Sequence, residues 1–509
     1  MGDRVECICS NSAQRASGEF VIKNMNEIIR KILMIEDTTK KIYIDTMGCP
    51  KNHVDSEMLA GMLLRKGQTL IDNPDEADCI IINTCGFIND AKIESIDRIF
   101  EMAQYDKELV VTGCLTQRYA DDLYEEIPEI DIIAGVNDYV ELPNIISRFP
   151  SRCPSLNASG DQENNKSKNQ RNRVKLANEY SKKLDIYNDE YMEYEIWKDR
   201  INVDKPWSRT IKISEGCDNR CAFCVIPNIR GNYRSRKPIN ILTEAKYMAS
   251  QGVKELIIIG QDTTNYGSDF CGEEINTLAK LLKALCKIDG LEWIRLMYCY
   301  EDKVTDELIE VLATENKICK YIDMPLQHIA DPVLSDMKRR SSTASTKETL
   351  KKLREKIDDL HIRTTFIVGF PGENEYDFDE LYDFVTEEKF ERLGVFTYSM
   401  EDGTIAGEME NQIDEEIKEA RMNSIMNLQI ENSRERNEGK IGKVMEVLIE
   451  EEDEEALTYI GRTRFDAPEI DNGVIVRSNK ELKLGEFVFV QIEDAFDYDI
   501  VGTVVERTK

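Results

Sequence analysis

From Lys41 onward the chain alternates short apolar runs with longer stretches whose apolar residues return every three or four positions. The first pattern belongs to buried strands, the second to amphipathic helices. Lys41 to Thr46 precedes a helical pattern over 54–65, and Asp78 to Thr84 precedes one over 89–104. Glu108 to Gly113 precedes a third that starts near Gln117, and a fourth apolar run covers Ile130 to Gly135. Strands alternating with helices predict a parallel sheet with right-handed crossovers. The expectation for 41–150 is a flavodoxin-like α/β domain.

The alternation then stops. Residues 161–173 are polar and low in complexity, which predicts a disordered insertion within a linker over 151–205. From Arg209 the pattern resumes, with strands over 211–214, 255–260, 293–298, 321–326, 364–369 and 393–399. Six such units predict an open, partial (β/α)6 barrel over 206–433, with its working face at the carboxyl ends of the strands. Past Arg436 the runs shorten to 443–449, 457–464, 473–477 and 487–492. These predict a domain of short β-strands over 434–509. In the extension 1–40, apolar residues at 21, 25, 28, 29 and 32 predict an amphipathic docking helix.

Composition narrows the setting. A chain of 509 residues suits roughly three domains. Its 41% hydrophobic and 32% charged content fits a soluble globular protein. No apolar run approaches the roughly 20 residues needed to cross a bilayer. Asp3, Glu6 and Glu19 argue against a leader or transit peptide. Fourteen cysteines without such a leader point to a reducing, cytoplasmic compartment, where clustered thiols bind metal or catalyse. The net charge of −31 disfavours contact with phosphate backbones and suits a basic partner.

The candidate chemistry lies in cysteines. Cys217, Cys221 and Cys224 fall within eight residues, directly after an apolar run. A closed zinc site would want a fourth ligand nearby, yet the next cysteine is Cys271 and the later histidines are His328 and His361. Three thiolates with no fourth partner fit an iron–sulfur cluster that keeps one iron open. Cys49, Cys85 and Cys114 are 36 and 29 residues apart, yet each ends an apolar run, where parallel sheets collect ligands. That shared position points to a second cluster, whereas Cys79, inside its run, reads as an ordinary buried cysteine. Three more strand ends carry polar, turn-forming residues: Gly260 to Thr264, Pro325 to His328 and Gly369 to Glu373. His328 alone reads as a hydrogen-bonded structural histidine.

The spacing C-x3-C-x2-C resembles the radical S-adenosylmethionine (SAM) superfamily, whose fourth iron is chelated by SAM. Gly48 to Glu57, Asn83 to Ile88 and Val111 to Leu115 resemble the N-terminal domain of the methylthiotransferases, and 434–509 looks like their TRAM domain, which implies a small OB-like β-barrel. Gly48 to Glu57 again, with Gln261 to Gly267, Asp323 to Asp331 and Gly461 to Asp471, is similar to the RimO type, which modifies an aspartate of the twelfth small-subunit ribosomal protein. The long linker, Cys299 and Ile405 depart from that pattern.

The resemblance implies two 4Fe–4S clusters, on Cys217, Cys221 and Cys224 and on Cys49, Cys85 and Cys114. It implies a SAM and substrate pocket lined by Gln261, Asp262, Gln327, Gly369 and Glu373. It also implies a sulfur donor and a flavodoxin or ferredoxin-type reductant. Residues 434–509 hold eleven basic and nineteen acidic residues. With the run Glu450 to Glu455 expected as a solvated loop, an acidic barrel suits a basic ribosomal protein better than RNA. A tRNA adenosine methylthiotransferase and a noncatalytic iron–sulfur carrier remain the alternatives.

Overall fold

The computed structural model describes residues 39–149, 173–176, 200–202, 205–453, 455 and 458–506. The expected helix near residues 20–35 and the polar run 161–172 lie outside them.

The first domain is a parallel sheet of β1 (Lys41–Thr46), β2 (Thr69–Leu70), β3 (Cys79–Thr84), β4 (Glu108–Gly113), β5 (Ile132–Ile133) and β6 (Val174–Lys175). Their order is β2-β1-β3-β4-β5-β6, the flavodoxin-like arrangement as far as β5. Every residue of β3 and β4 is buried, as expected for strands covered on both faces. Ile81 and Val110 face one core, while Ile80, Ile82 and Val111 face the other. Helices α1 (Pro50–Arg65), α2 (Asn89–Ala103), α3 (Cys114–Glu126) and α4 (Leu142–Arg148) cover those faces. Two boundaries differ from the sequence reading. α3 begins at Cys114 itself, and the fourth strand shrinks to two residues.

The linker expectation also needs correction. β6 lies within 151–205 and pairs with β5, held by Arg173, which donates to the Ile130 and Ile127 carbonyls. Arg200, from the same stretch, is buried between Glu57 and Glu244. These described parts of the linker therefore belong to the folded body.

The second domain holds β7 (Ser208–Lys212), β10 (Glu255–Ile259), β11 (Trp293–Leu296), β12 (Ile318–Asp323), β13 (His361–Val368) and β14 (Arg392–Thr397). They form an open parallel sheet in the order β14-β13-β12-β11-β10-β7. A two-stranded ribbon, β8 (Ser214–Glu215) with β9 (Arg234–Ser235), stands beside it. The helices are α5 (Ile226–Arg230), α6 (Pro238–Ser250), α7 (Leu278–Cys286), α8 (Asp306–Thr314), α9 (Asp331–Asp336), α10 (Thr343–Lys356), α11 (Glu375–Glu388) and α12 (Glu415–Glu438). Alternation along β10 divides its residues between two cores. Leu256 and Ile258 pack outward with the helices. Ile257 and Ile259 pack inward with Trp293, Met297 and Tyr321, and with Val54, Leu448 and Ala467 from the flanking domains. Cys299 is simply part of the outer core.

The third domain is a closed barrel of β15 (Val444–Asp453), β16 (Thr458–Thr463), β17 (Val474–Arg477), β18 (Phe487–Ala495) and β19 (Ile500–Val505). The pattern reading missed β19. Gly502 interrupts its apolar run, and a Cβ there would fall 2.3 Å from the Gln491 carbonyl of β18. The acidic run is not a loop at its start: Glu450 to Asp453 extend β15. Glu450 is buried, with Arg462 3.0 Å and Lys205 3.3 Å away.

Candidate active site

Both cysteine trios sit at strand carboxyl ends. Cys49 caps α1, Cys85 follows β3 and Cys114 follows β4. Glycines let these turns meet. Gly48 adopts φ +88, and a Cβ on it would lie 2.7 Å from the Cys85 Cβ. Gly113 adopts φ +107, and its Cβ would lie 2.4 Å from the Thr84 carbonyl. Burial pushes the Cys85 thiol up to about 11, and the negative charge of Cys114 and Cys49 adds to the shift. Burial raises Cys114 too, with Cys49 again contributing.

The second group occupies the loop between β8 and α5. Cys217 NH donates to Gly231 O at 3.1 Å, Ala222 NH to Met337 O at 2.9 Å and Cys224 NH to Cys221 O at 3.1 Å. Burial raises Cys224 strongly, with Cys221 and Cys217 adding. Asn219, inside the loop, points its Nδ2 at the Cys217 Sγ (3.4 Å) and at Asp262 Oδ2 (2.7 Å).

Asp262 is thus a residue that shapes the cysteine loop. Its carboxylate also accepts from Lys303 at 2.5 Å, Thr264 Oγ1 at 2.8 Å and Asn265 NH at 3.2 Å. Gln261 Nε2 donates to Glu215 at 2.7 Å, while its Oε1 is buried without a partner. Gln327 adopts φ +73 and also buries an unpartnered Oε1. The Glu373 carboxylate accepts from Gly369 NH (2.7 Å), Phe370 NH (3.1 Å) and Arg421 (2.9 Å), so it holds the turn that starts at Gly369. His328 Nδ1 accepts from Ala330 NH at 3.1 Å, and burial lowers its pKa to about 3. It is a neutral, structural ring.

The sequence reading missed the connection between the groups. Asp55 of α1 meets Lys212 at 2.5 Å and Arg230 at 2.7 Å. Arg230 also donates to Asn52 Oδ1 at 2.7 Å and reaches the Cys114 Sγ at 3.4 Å. Lys51 is buried with its Nζ 3.2 Å from the Tyr298 ring centroid. Tyr298 itself adopts φ +59 at the end of β11, the kind of strained conformation that gathers at functional sites. A cation close after a cysteine motif is the signal that could have found Lys51 and Arg230; Asp55 and Asn52 carry none.

A cavity of about 500 Å³ opens at the meeting of all three domains. Its wall includes Cys49 and His53 of the first domain, Arg209 and Tyr298 of the second, and Ala467 to Ile470 of the third. Among the described residues no three His, Cys, Asp or Glu side chains close onto one metal ion. Thiols alone, three to a group, fit a cubane with one iron left to a non-protein ligand.

Fold and donor sets together define a radical-SAM protein with an additional cysteine-bearing domain. Residues 211–385 match the radical SAM superfamily, 441–505 the TRAM domain, and 41–135 an uncharacterized protein family, UPF0004. The chain is 44% identical to the ribosomal protein uS12 methylthiotransferase RimO of Clostridium novyi, over 92% of this chain and 99% of the relative. It is 43% identical to the RimO of Acetivibrio thermocellus, with the same coverage. The RimO of Desulfitobacterium hafniense is 43% identical over 93% of this chain and all of the relative. A solved radical-SAM methyltransferase, TsrM of Kitasatospora setae, superposes with a TM-score of 0.49 and 15% identity over 73% of this chain and 74% of that one. The chain belongs to the RimO family of radical-SAM methylthiotransferases.

Proposed function

We propose that this enzyme replaces a hydrogen on the β-carbon of an aspartate in ribosomal protein uS12 with a methylthio group. One observation carries the reading. The cavity that reaches Cys49 is closed on one side by Ala467 to Ile470, inside the segment that most resembles the RimO type. When bound, a cluster on Cys217, Cys221 and Cys224 would supply the electron that opens SAM to a radical able to take an unactivated hydrogen, and one on Cys49, Cys85 and Cys114 would present sulfur.

The chain's own residues bind and orient. Asp262 fixes the cysteine loop through Asn219. The free carbonyl oxygens of Gln261 and Gln327 are buried acceptors that suit the polar groups of SAM, and Glu373 keeps the backbone at Gly369 in a tight turn. Arg209, which lines the cavity and pairs with Glu57 at 3.1 Å, gives the cavity wall a positive charge beside which the aspartate carboxylate would bind. A basic ribosomal protein suits the acidic surface, with a flavodoxin or ferredoxin-type reductant and a sulfur donor as further partners. Mass spectrometry of uS12 and of tRNA from a deletion strain tests this. The methylthio group is expected to vanish from the protein and to persist on tRNA, and the reverse result would reject the proposal.

A further inference from the structure

Arg230 is fully buried and faces four partners from two domains. Its terminal nitrogens donate to Asp55 Oδ2 at 2.7 Å and Asn52 Oδ1 at 2.7 Å, and one lies 3.4 Å from the Cys114 Sγ. Glu215 is 3.6 Å away. The residue follows Cys224 by six positions at the end of α5, yet the thiol it touches belongs to the other cysteine group. Its orientation is fixed from both sides. Asn52 is locked by its own bonds to the Met47 and Thr84 carbonyls. Lys212 shares both carboxylates with it, at 2.5 Å from Asp55 and 2.8 Å from Glu215.

Two cations and two carboxylates make this network neutral as a set. What remains for Cys114 is the local dipole of one N–H aimed at sulfur. Hydrogen bonds to cluster sulfurs help set a cluster's reduction potential. Reduction adds negative charge, so a charge-assisted donor favours the reduced state more than the oxidised one. Exclusion of water strengthens the effect. A planar fork aims fixed donors at Asp55, Asn52 and a sulfur at once, whereas a lysine ammonium is a compact point charge on a shorter-reaching stem.

We propose that Arg230 is a positioning residue whose hydrogen bond to Cys114, made across the domain boundary, raises the reduction potential of the cluster held by Cys49, Cys85 and Cys114. This rests on the reading of those cysteines as cluster ligands. Through Glu215 the same guanidinium is tied to Gln261, so the two strand-end loops and the second cluster share one rigid polar link.

The test is redox titration of the reconstituted full-length Arg230→Lys variant, followed by electron paramagnetic resonance. Lysine keeps the charge that Asp55 and Glu215 need and loses the bond to sulfur. The equilibrium constant for reducing the second cluster is expected to fall about tenfold, which is about 59 mV for one electron. The midpoint of the cluster on Cys217, Cys221 and Cys224 should stay in place. An unmoved second midpoint with both clusters loaded would overturn the proposal. Should the variant not load its second cluster, the unaltered arginine can be read directly. A chain with Cys217, Cys221 and Cys224 changed to alanine, labelled with 15N-arginine, should show nitrogen coupling to the reduced cluster. Absence of that coupling would equally overturn it. A wild-type chain that holds only about four irons after reconstitution would instead sink the ligand assignment on which the proposal stands.

Discussion

Gly113 shows how closely the site depends on single residues. It holds φ +107 directly before Cys114, and any Cβ there would press on the Thr84 carbonyl. A side chain at such a backbone costs about 1–3 kcal/mol, and relief would move Cys114 away from Cys85. Gly113→Val is therefore expected to lower bound iron from about eight to about four per chain, measured by iron analysis, with SAM cleavage retained. Replacing the ligands themselves should divide the reaction. Cys221→Ala should abolish formation of 5′-deoxyadenosine, while Cys85→Ala should spare it and lose sulfur transfer, as followed by chromatography of the products. Equal loss of cleavage in both would contradict separate roles for the trios. The six cysteines were legible in the sequence because Cys49, Cys85 and Cys114 each end an apolar run and Cys217, Cys221 and Cys224 fall within eight residues. Arg230, Asp55 and Asn52 were not, since their partners are 175 and 178 residues apart and a charged side chain on its own usually signals a solvated surface.

Elements were legible to the extent that burial is periodic. β10 is apolar on both sides, and its alternation decides which core each residue serves. Leu256 lies in the outer core, whereas Ile257 borders the cavity. Truncation of Leu256 to alanine is expected to cost about 2–5 kcal/mol. Ile257→Ala should cost less, because it enlarges space that already exists. Comparison of the apparent melting temperatures of the two variants checks this, and equal losses would mean that the inner face is as tightly packed as the outer. Where the periodicity weakens, the reading failed. β6 offers two residues and β19 contains a glycine, so neither carries enough apolar signal to announce a strand. The acidic stretch failed for a different reason. Its charges are read from sequence as repelling water-exposed groups, but Glu450 turns inward to Arg462.

At the scale of the molecule, the third domain docks against the amino-terminal ends of the barrel strands through ion pairs. Arg462 reaches Glu255 at the start of β10, and Arg295 meets the same carboxylate at 2.9 Å. Arg392 at the start of β14 meets Asp466 at 2.5 Å, and the Tyr321 hydroxyl donates to Asp471 at 2.7 Å. The segment that looked most family-specific in the sequence is therefore also the contact that closes the barrel, which places Ala467 to Ile470 in the cavity wall.

The electrostatics of this interface make a pH prediction. Although burial alone would raise Glu255, its two arginines outweigh it and depress the carboxyl from an ordinary value near 4.5 to about 2. An acid whose folded pKa is depressed contributes stability that is complete above its unfolded value and is lost as pH falls toward the folded one. The docked state should therefore weaken between about pH 4.5 and pH 2, with no change from this group between pH 6 and 8. Glu255→Gln leaves Arg295 buried without its counter-charge and Arg462 with Glu450 alone, a loss of about 3–5 kcal/mol, and should flatten the acid dependence that this carboxyl contributes. Fluorescence of Trp207 and Trp293, both near the junction, followed against pH in the two proteins, reads the undocking. Identical acid profiles would mean that the barrel is held by its apolar contacts, Leu448 and Ala467 against Trp293 and Tyr321, and that the ion pairs only set its register.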